Sequence, residues 1–160
     1  MRVLSLTVLL CAAHVALAAD TSEKIKRVSL HEHPTVLDML RKNNAHREIH
    51  GYLPHQISPE LCKAAQNHAE YMAAGGEFSH YANGGYQGRA NKFGYHGSVR
   101  ENIAWGQQGV VSVFNTWIAS DGHYASIMSD TTDAGFGLAY SKDGSPYWVG
   151  IYGYPEKPDK

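Results

Sequence analysis

Apolar residues recur along this chain in three different rhythms, and each predicts a different kind of element. From Pro34, Val36, Leu37 and Leu40 fall on one side of a helix that Gly51 stops. A second helix is better marked. Ser58 is its N-cap, Pro59 its first residue and Gly75-Gly76 its end, with Leu61, Ala64, Ala65, His68 and Met72 as an apolar stripe. Val110, Val113, Phe114 and Trp117 repeat at helical spacing and predict a third helix; a short fourth begins at Ser120 or Asp121 and carries His123, Ile127 and Met128.

The rhythm then shortens to two. "GFGLAYS" and "YWVGIYGY" alternate about a Lys142-Asp143-Gly144-Ser145 turn, which reads as a hairpin. Gly135, Gly137 and Ala139 leave one face of it small, so that a helix can approach closely. Residues 76–100, rich in glycine and polar aromatics, read mostly as loop with one helical turn near Arg89, followed by the short apolar piece in "ENIAWG" (101–106). Helices first and strands last predict an α+β fold.

The ends are different in kind. Arg2, the apolar run from Val3 and the small-x-small Ala16-Leu17-Ala18 read as a secretory signal over residues 1–18. That run is too short for a membrane anchor, and no other segment could span a bilayer. Residues 19–33 read as a flexible polar leader, 34–154 as the folded domain and 155–160 as a disordered tail. The chain holds 14 basic and 15 acidic side chains, and cleavage after Ala18 removes one of the basic ones. A field of that sign does not attract nucleic acid. Cys11 falls in the signal, behind a Leu10 that suits no lipoprotein site, so the exported chain keeps only Cys62 and has no internal disulfide.

Candidate chemistry starts with decoys. "HREIH" places His46 and His50 one helical turn apart, but Glu48 is not adjacent to the first histidine as a zinc protease requires. His31 and His33 lack a third ligand, and His68 sits on an apolar stripe as a core histidine does. His80 in "FSHY", Glu101 in "ENIA" and His123 in "SDGHYASIM" remain. Two imidazoles and a carboxylate are a donor set for an open zinc site, yet spacing alone does not bring these three together.

The order of segments resembles the CAP superfamily (cysteine-rich secretory proteins, antigen 5 and pathogenesis-related proteins), in particular the SCP-like extracellular domains common in bacteria. "NAHREIHG" is similar to that family's N-x-x-R-x-x-H-G at Asn44, Arg47, His50 and Gly51, a structural segment pinning the first helix to nearby loops. "SPELCKAAQNHAEYMA", "FSHY", "ENIAWG" and "WIASDGHYASIM" follow in the family's order, and the resemblance spans roughly residues 36–154. It implies a three-layer α-β-α sandwich, a small antiparallel sheet flanked by helices, with a central cleft lined by two histidines and two acids. By position His80, Glu101 and His123 match three of these four, with Asn102 securing the backbone beside them. The fourth position holds Ser120 instead of Glu, which weakens any ion site, and Ser126 stands where Asn is common.

Three functions are compatible with these residues. The resemblance favours a secreted, non-enzymatic module at the cell envelope or outside it, binding a lipid, a peptide or an envelope component in the His/Glu-lined cleft, with no required cofactor. The alternative is a peptidase-like metal-assisted hydrolase, with Glu101 as general base, Ser120 orienting water and zinc on His80 and His123. In the third, the His-Glu cluster is only the polar core of a stable scaffold. The sequence has no strained nucleophile motif of the G-x-S-x-G kind. Trp105, Trp117 and Trp148 read as core or cleft wall.

Overall fold

A mixed sheet in the order β1-β3-β4-β2 divides the molecule into two helical layers, as the computed structural model, which describes residues 28–156, shows. The expected signal peptide lies outside the described residues. So do most of the leader and the last four residues of the tail.

The strands are β1 (Gln56–Ile57), β2 (Gly97–Trp105), β3 (Asp133–Tyr140) and β4 (Pro146–Pro155). β3, β4 and β2 are antiparallel neighbours, whereas the two-residue β1 joins β3 in parallel. The alternation seen in the sequence decides what each face buries. Ala134, Phe136, Trp148, Tyr152 and Ala104 point to one layer, with α1 (Pro34–Ile49), α4 (Val110–Ile118) and α5 (Asp121–Ile127). Val149, Ile151, Val99 and Ile103 point to the other, with α2 (Pro59–Ala73) and α3 (Gly85–Lys92). This is an α-β-α sandwich.

α2 starts where its cap chemistry places it: the Ser58 hydroxyl accepts from Leu61 N–H at 3.2 Å, and its stripe of Leu61, Ala64, Ala65, His68 and Met72 is buried. It lies directly on β3. A Cβ on Gly135 would strike the backbone of Leu61 and Cys62, and one on Gly137 the backbone of Ala65 and Gln66. These glycines therefore set the helix-sheet spacing.

Four expectations change. The loop expected at 76–100 contains the two-turn helix α3 and the first residues of β2, so "ENIA" is the middle of a nine-residue strand. The apolar positions of α3 are few, Tyr86, Ala90 and the C-cap Phe93 among glycines and polar residues, and its N-cap Gly84 adopts the left-handed conformation at φ 85°. The leader expected to 33 ends earlier, because Leu30–Glu32 form a 3-10 turn and His33 Nδ1 caps α1 by accepting from Thr35 N–H. The tail expected from 155 starts later, since β4 runs through Pro155. Trp117 and Trp148 are core, but Trp105 is 57% exposed and stacks on Tyr147 at the surface. Among the described residues no helix is long and apolar enough to cross a membrane.

Candidate functional site

Glu101 lies on β2 between Val99 and Ile103, so the pleat aims it at the α2/α3 layer. Its side chain is fully buried, and both oxygens are taken. Oε1 accepts from His80 Nδ1 at 3.0 Å, and Oε2 from Arg89 Nη2 at 2.5 Å. Arg89, on α3, is equally buried and also donates to the carbonyls of Ala82 at 2.5 Å and His80 at 3.4 Å. One guanidinium thus neutralises the carboxylate and ties down the loop that carries His80. His80 remains 38% exposed. With Nδ1 spent on Glu101, its Nε2 is the nitrogen left for a ligand, the tautomer-fixing arrangement of carboxylate-oriented histidines.

His68 packs behind this pair. It is wholly buried, stacks on Tyr71, and neither ring nitrogen has a hydrogen-bond partner. Burial pushes its pKa down to about 4, against the attraction of the Glu101 carboxylate.

Asn102 is next along the strand and so faces the opposite layer. Its Nδ2 donates to the main-chain carbonyl of His123 at 3.0 Å, fixing α5 against β2. His123 therefore reaches the site from the other side of the sheet. Its Nδ1 is buried without a partner, and its pKa is lowered by burial and then by the charge of His80. The two imidazoles are thus electrostatic neighbours, but Glu101 hydrogen-bonds only the first. The expected carboxylate between two histidines is instead a carboxylate between a histidine and an arginine. Ser120 is the N-cap residue of α5, and its hydroxyl makes no capping bond. Ser126 Oγ donates to Gly122 O at 3.2 Å within that helix.

The remaining singled-out residues lie elsewhere. Arg47 donates to the carbonyls of Leu53, Ile127, Ser129 and Thr131, and Asn44 bonds both the N–H and the C=O of His55. His50 donates from Nδ1 to His46 O at the end of α1, and Gly51 turns the chain at φ 80°. Arg89 is the residue that sequence reasoning missed. A buried carboxylate needs a cation, and residues 76–100 offer only Arg89, Lys92 and Arg100. Alternation turns Arg100 away from Glu101, which leaves the two on α3.

The donor set does not suit a resident zinc ion. Among the described residues no three His, Cys, Asp or Glu side chains are placed to hold one. His80 and Arg89 already hold the two oxygens of Glu101. Two imidazoles fall short of the three or four protein ligands of a stable site.

The model of the cysteine-rich secretory protein (CAP) family matches residues 40–152. Among solved structures, the fold is similar to an outer surface protein of Borrelia burgdorferi, with a TM-score of 0.69 and 20% identity over 75% of this chain and 92% of that one. It is also similar to an extracellular SCP-domain protein of Bacillus anthracis, with a TM-score of 0.66 and 20% identity over 75% of this chain and 40% of that one. A Staphylococcus aureus cysteine-rich secretory protein follows at a TM-score of 0.59 and 18% identity, over 74% of this chain and 38% of that one. This chain thus spans less than half of the latter two. No curated protein matches the sequence. At such identities the structures speak for the fold, and the family model for the lineage: the chain belongs to the cysteine-rich secretory protein (CAP) family.

Proposed function

We propose that this domain is an extracellular or envelope-exposed binding module that recognises its ligand at the surface formed by His80 and His123. Glu101 and Arg89 act beneath that surface as a positioning pair. The observation that carries this reading is the state of Glu101: wholly buried, with both oxygens engaged. A general base needs an oxygen that the water it deprotonates can reach, and the Glu101 side chain is shut off from solvent with His80 and Arg89 on its two oxygens. The exposed ring of His80 is what remains for recognition. Two structural neighbours, an outer surface protein and an extracellular SCP-domain protein, support the location.

The candidate ligands are a lipid, a peptide or an envelope component. The test is a binding titration of the domain against fatty-acid vesicles, unstructured peptides and peptidoglycan fragments, repeated with His80→Ala, His123→Ala and Glu101→Gln. The expected result is saturable binding of one class that weakens at least about tenfold in each histidine variant. Turnover of any of these compounds that disappears in a folded Glu101→Gln variant would establish the hydrolase instead. Absence of both binding and turnover, with Glu101→Gln lowering only stability, would leave the cluster as scaffold.

A further inference from the structure

Among the described residues, β2 stands at one side of the sheet with no strand beyond it. Its outer edge is not bare. The carboxamide of Gln87, on α3, donates to the carbonyl of Gly97 at 2.8 Å and accepts from the N–H of Val99 at 3.3 Å. Serving the C=O of one residue and the N–H of the residue two further on is what one residue of a parallel neighbouring strand does.

Two other carboxamides in the fold show the contrasting pattern. Gln66 bonds both the N–H and the C=O of Leu138, and Asn44 does the same to His55, which is the antiparallel form. Those two tie a helix to main chain. Gln87 differs because open space adjoins the groups it covers. A cavity of about 630 Å³ lies against Gln87, Asn91, His96 and Glu156, and another of about 420 Å³ against Tyr86, Arg100 and Asp130. The two share Ser98 and Tyr154, so they meet along this edge.

We propose that the Gly97–Val99 edge is a docking site for an extended peptide segment of a partner protein. The segment runs parallel to β2, displaces the Gln87 carboxamide and takes over its two main-chain bonds. The stand-in amide defines the direction of entry. It also argues against a second copy of this chain as the occupant. A parallel bridge is unsymmetrical, one residue serving two, and the two-fold axis of an ordinary homodimer cannot repeat it. Main-chain pairing gives the affinity, and alternate side chains of the segment fall toward the two cavities. Tyr86 and Tyr154, with His96 and Arg100 against Asp130 and Glu156, suit polar or aromatic side chains rather than aliphatic ones.

Because a peptide amide replaces a side-chain amide, the exchange is nearly even and Gln87 acts as a competitor. Removing two ordinary hydrogen bonds of competition strengthens binding by about tenfold. The experiment is fluorescence polarisation with an array of unstructured hexapeptides rich in polar and aromatic residues, against the parent domain, Gln87→Ala and Gln87→Glu. The Glu variant cannot donate to Gly97 O but still accepts from Val99 N–H, so it frees one of the two groups and gives a folded intermediate case where the Ala variant fails to fold. Expected are hexapeptides that bind the parent, bind Gln87→Ala about tenfold tighter and Gln87→Glu by a smaller factor, and lose binding when their central amide is N-methylated. The proposal is overturned if no hexapeptide binds any of the folded proteins. It is equally overturned if binding ignores both the substitution and the methylation. Self-association of Gln87→Ala without peptide, seen by sedimentation, would make the amide a guard against second copies and end the partner assignment.

Discussion

Two arginines are buried in this fold, Arg47 at 2% exposure and Arg89 at 1%, and their charges are met in different ways. Among the described residues, Arg47 faces no carboxylate. It donates at 2.6–3.3 Å to the carbonyls of Ile127, Ser129 and Thr131, satisfying the free end of α5, and at 2.8 Å to Leu53 after α1, with Tyr52 over its guanidinium. Arg89 meets an equally buried carboxylate. Carbonyl dipoles hold the first cation and make it a stitch between segments. A full counter-charge holds the second, and the spare oxygen of that carboxylate orients His80. The arginine without an acid builds the fold, and the arginine with one builds the site.

The comparison is broken most severely at Arg47. Arg47→Met leaves several buried carbonyls unsatisfied at once, and the expected loss is more than about 4 kcal/mol, or no folded protein at all, read from the urea midpoint. Arg89→Met strips the counter-ion from Glu101 and is expected to cost about 3–5 kcal/mol. Here the two regions part. Adding Glu101→Leu to Arg89→Met should restore the part of the loss that belongs to the ion pair, since such a pair can be replaced by apolar side chains with little net cost, and leave the part that comes from the Ala82 and His80 carbonyls. No single second change rescues Arg47→Met, because its acceptors are main chain. Failure of the double variant to recover stability would put Arg89 in the same structural class as Arg47.

Each region also encloses a histidine held neutral. Burial, aided by the Arg47 charge, pushes His55 down to about 3, and burial pushes His68 down to about 4. Both take up a proton in the unfolded chain near pH 6.5, before they do so in the fold. Between those values the unfolded state binds more protons, so stability is full above about pH 6.5 and declines as the pH falls toward 4 and then 3. Urea unfolding at pH 7, 5 and 4 should show that decline, and His55→Gln should flatten it. The smallest effect concerns Asn102, whose bond to His123 O is single. Asn102→Ala should cost about 1 kcal/mol and loosen α5, visible as faster amide exchange around His123.

The sequence already carried most of this architecture where a local rule was at work. Ser58-Pro59 marks the start of α2, and the alternation about Asp143-Gly144 marks the hairpin. The small residues at 135, 137 and 139 announce the helix that lies on them. α3 escaped because glycines and polar residues fill it and its short stripe of Tyr86, Ala90 and Phe93 is only partly buried. The position of Glu101 was legible only in part. Its histidine came from the family resemblance and not from spacing, and Arg89 lies 12 residues away on another element, with no periodicity to join them. Strand alternation, once β2 is recognised as a strand, also separates Glu101 from the backbone of His123. Two consecutive residues of a strand do not face the same layer.

The direct test is the tautomer of His80 in the native domain at neutral pH, from long-range nitrogen-proton correlation spectra of the imidazole rings. The expected spectrum has the proton on Nδ1, held by Glu101, and a bare Nε2 at the surface, with that assignment lost in Glu101→Gln. A proton on Nε2 and a bare Nδ1 would contradict it: Glu101 would then not be spent on orienting His80, and its Oε1 would be free for the chemistry that a binding module does not perform.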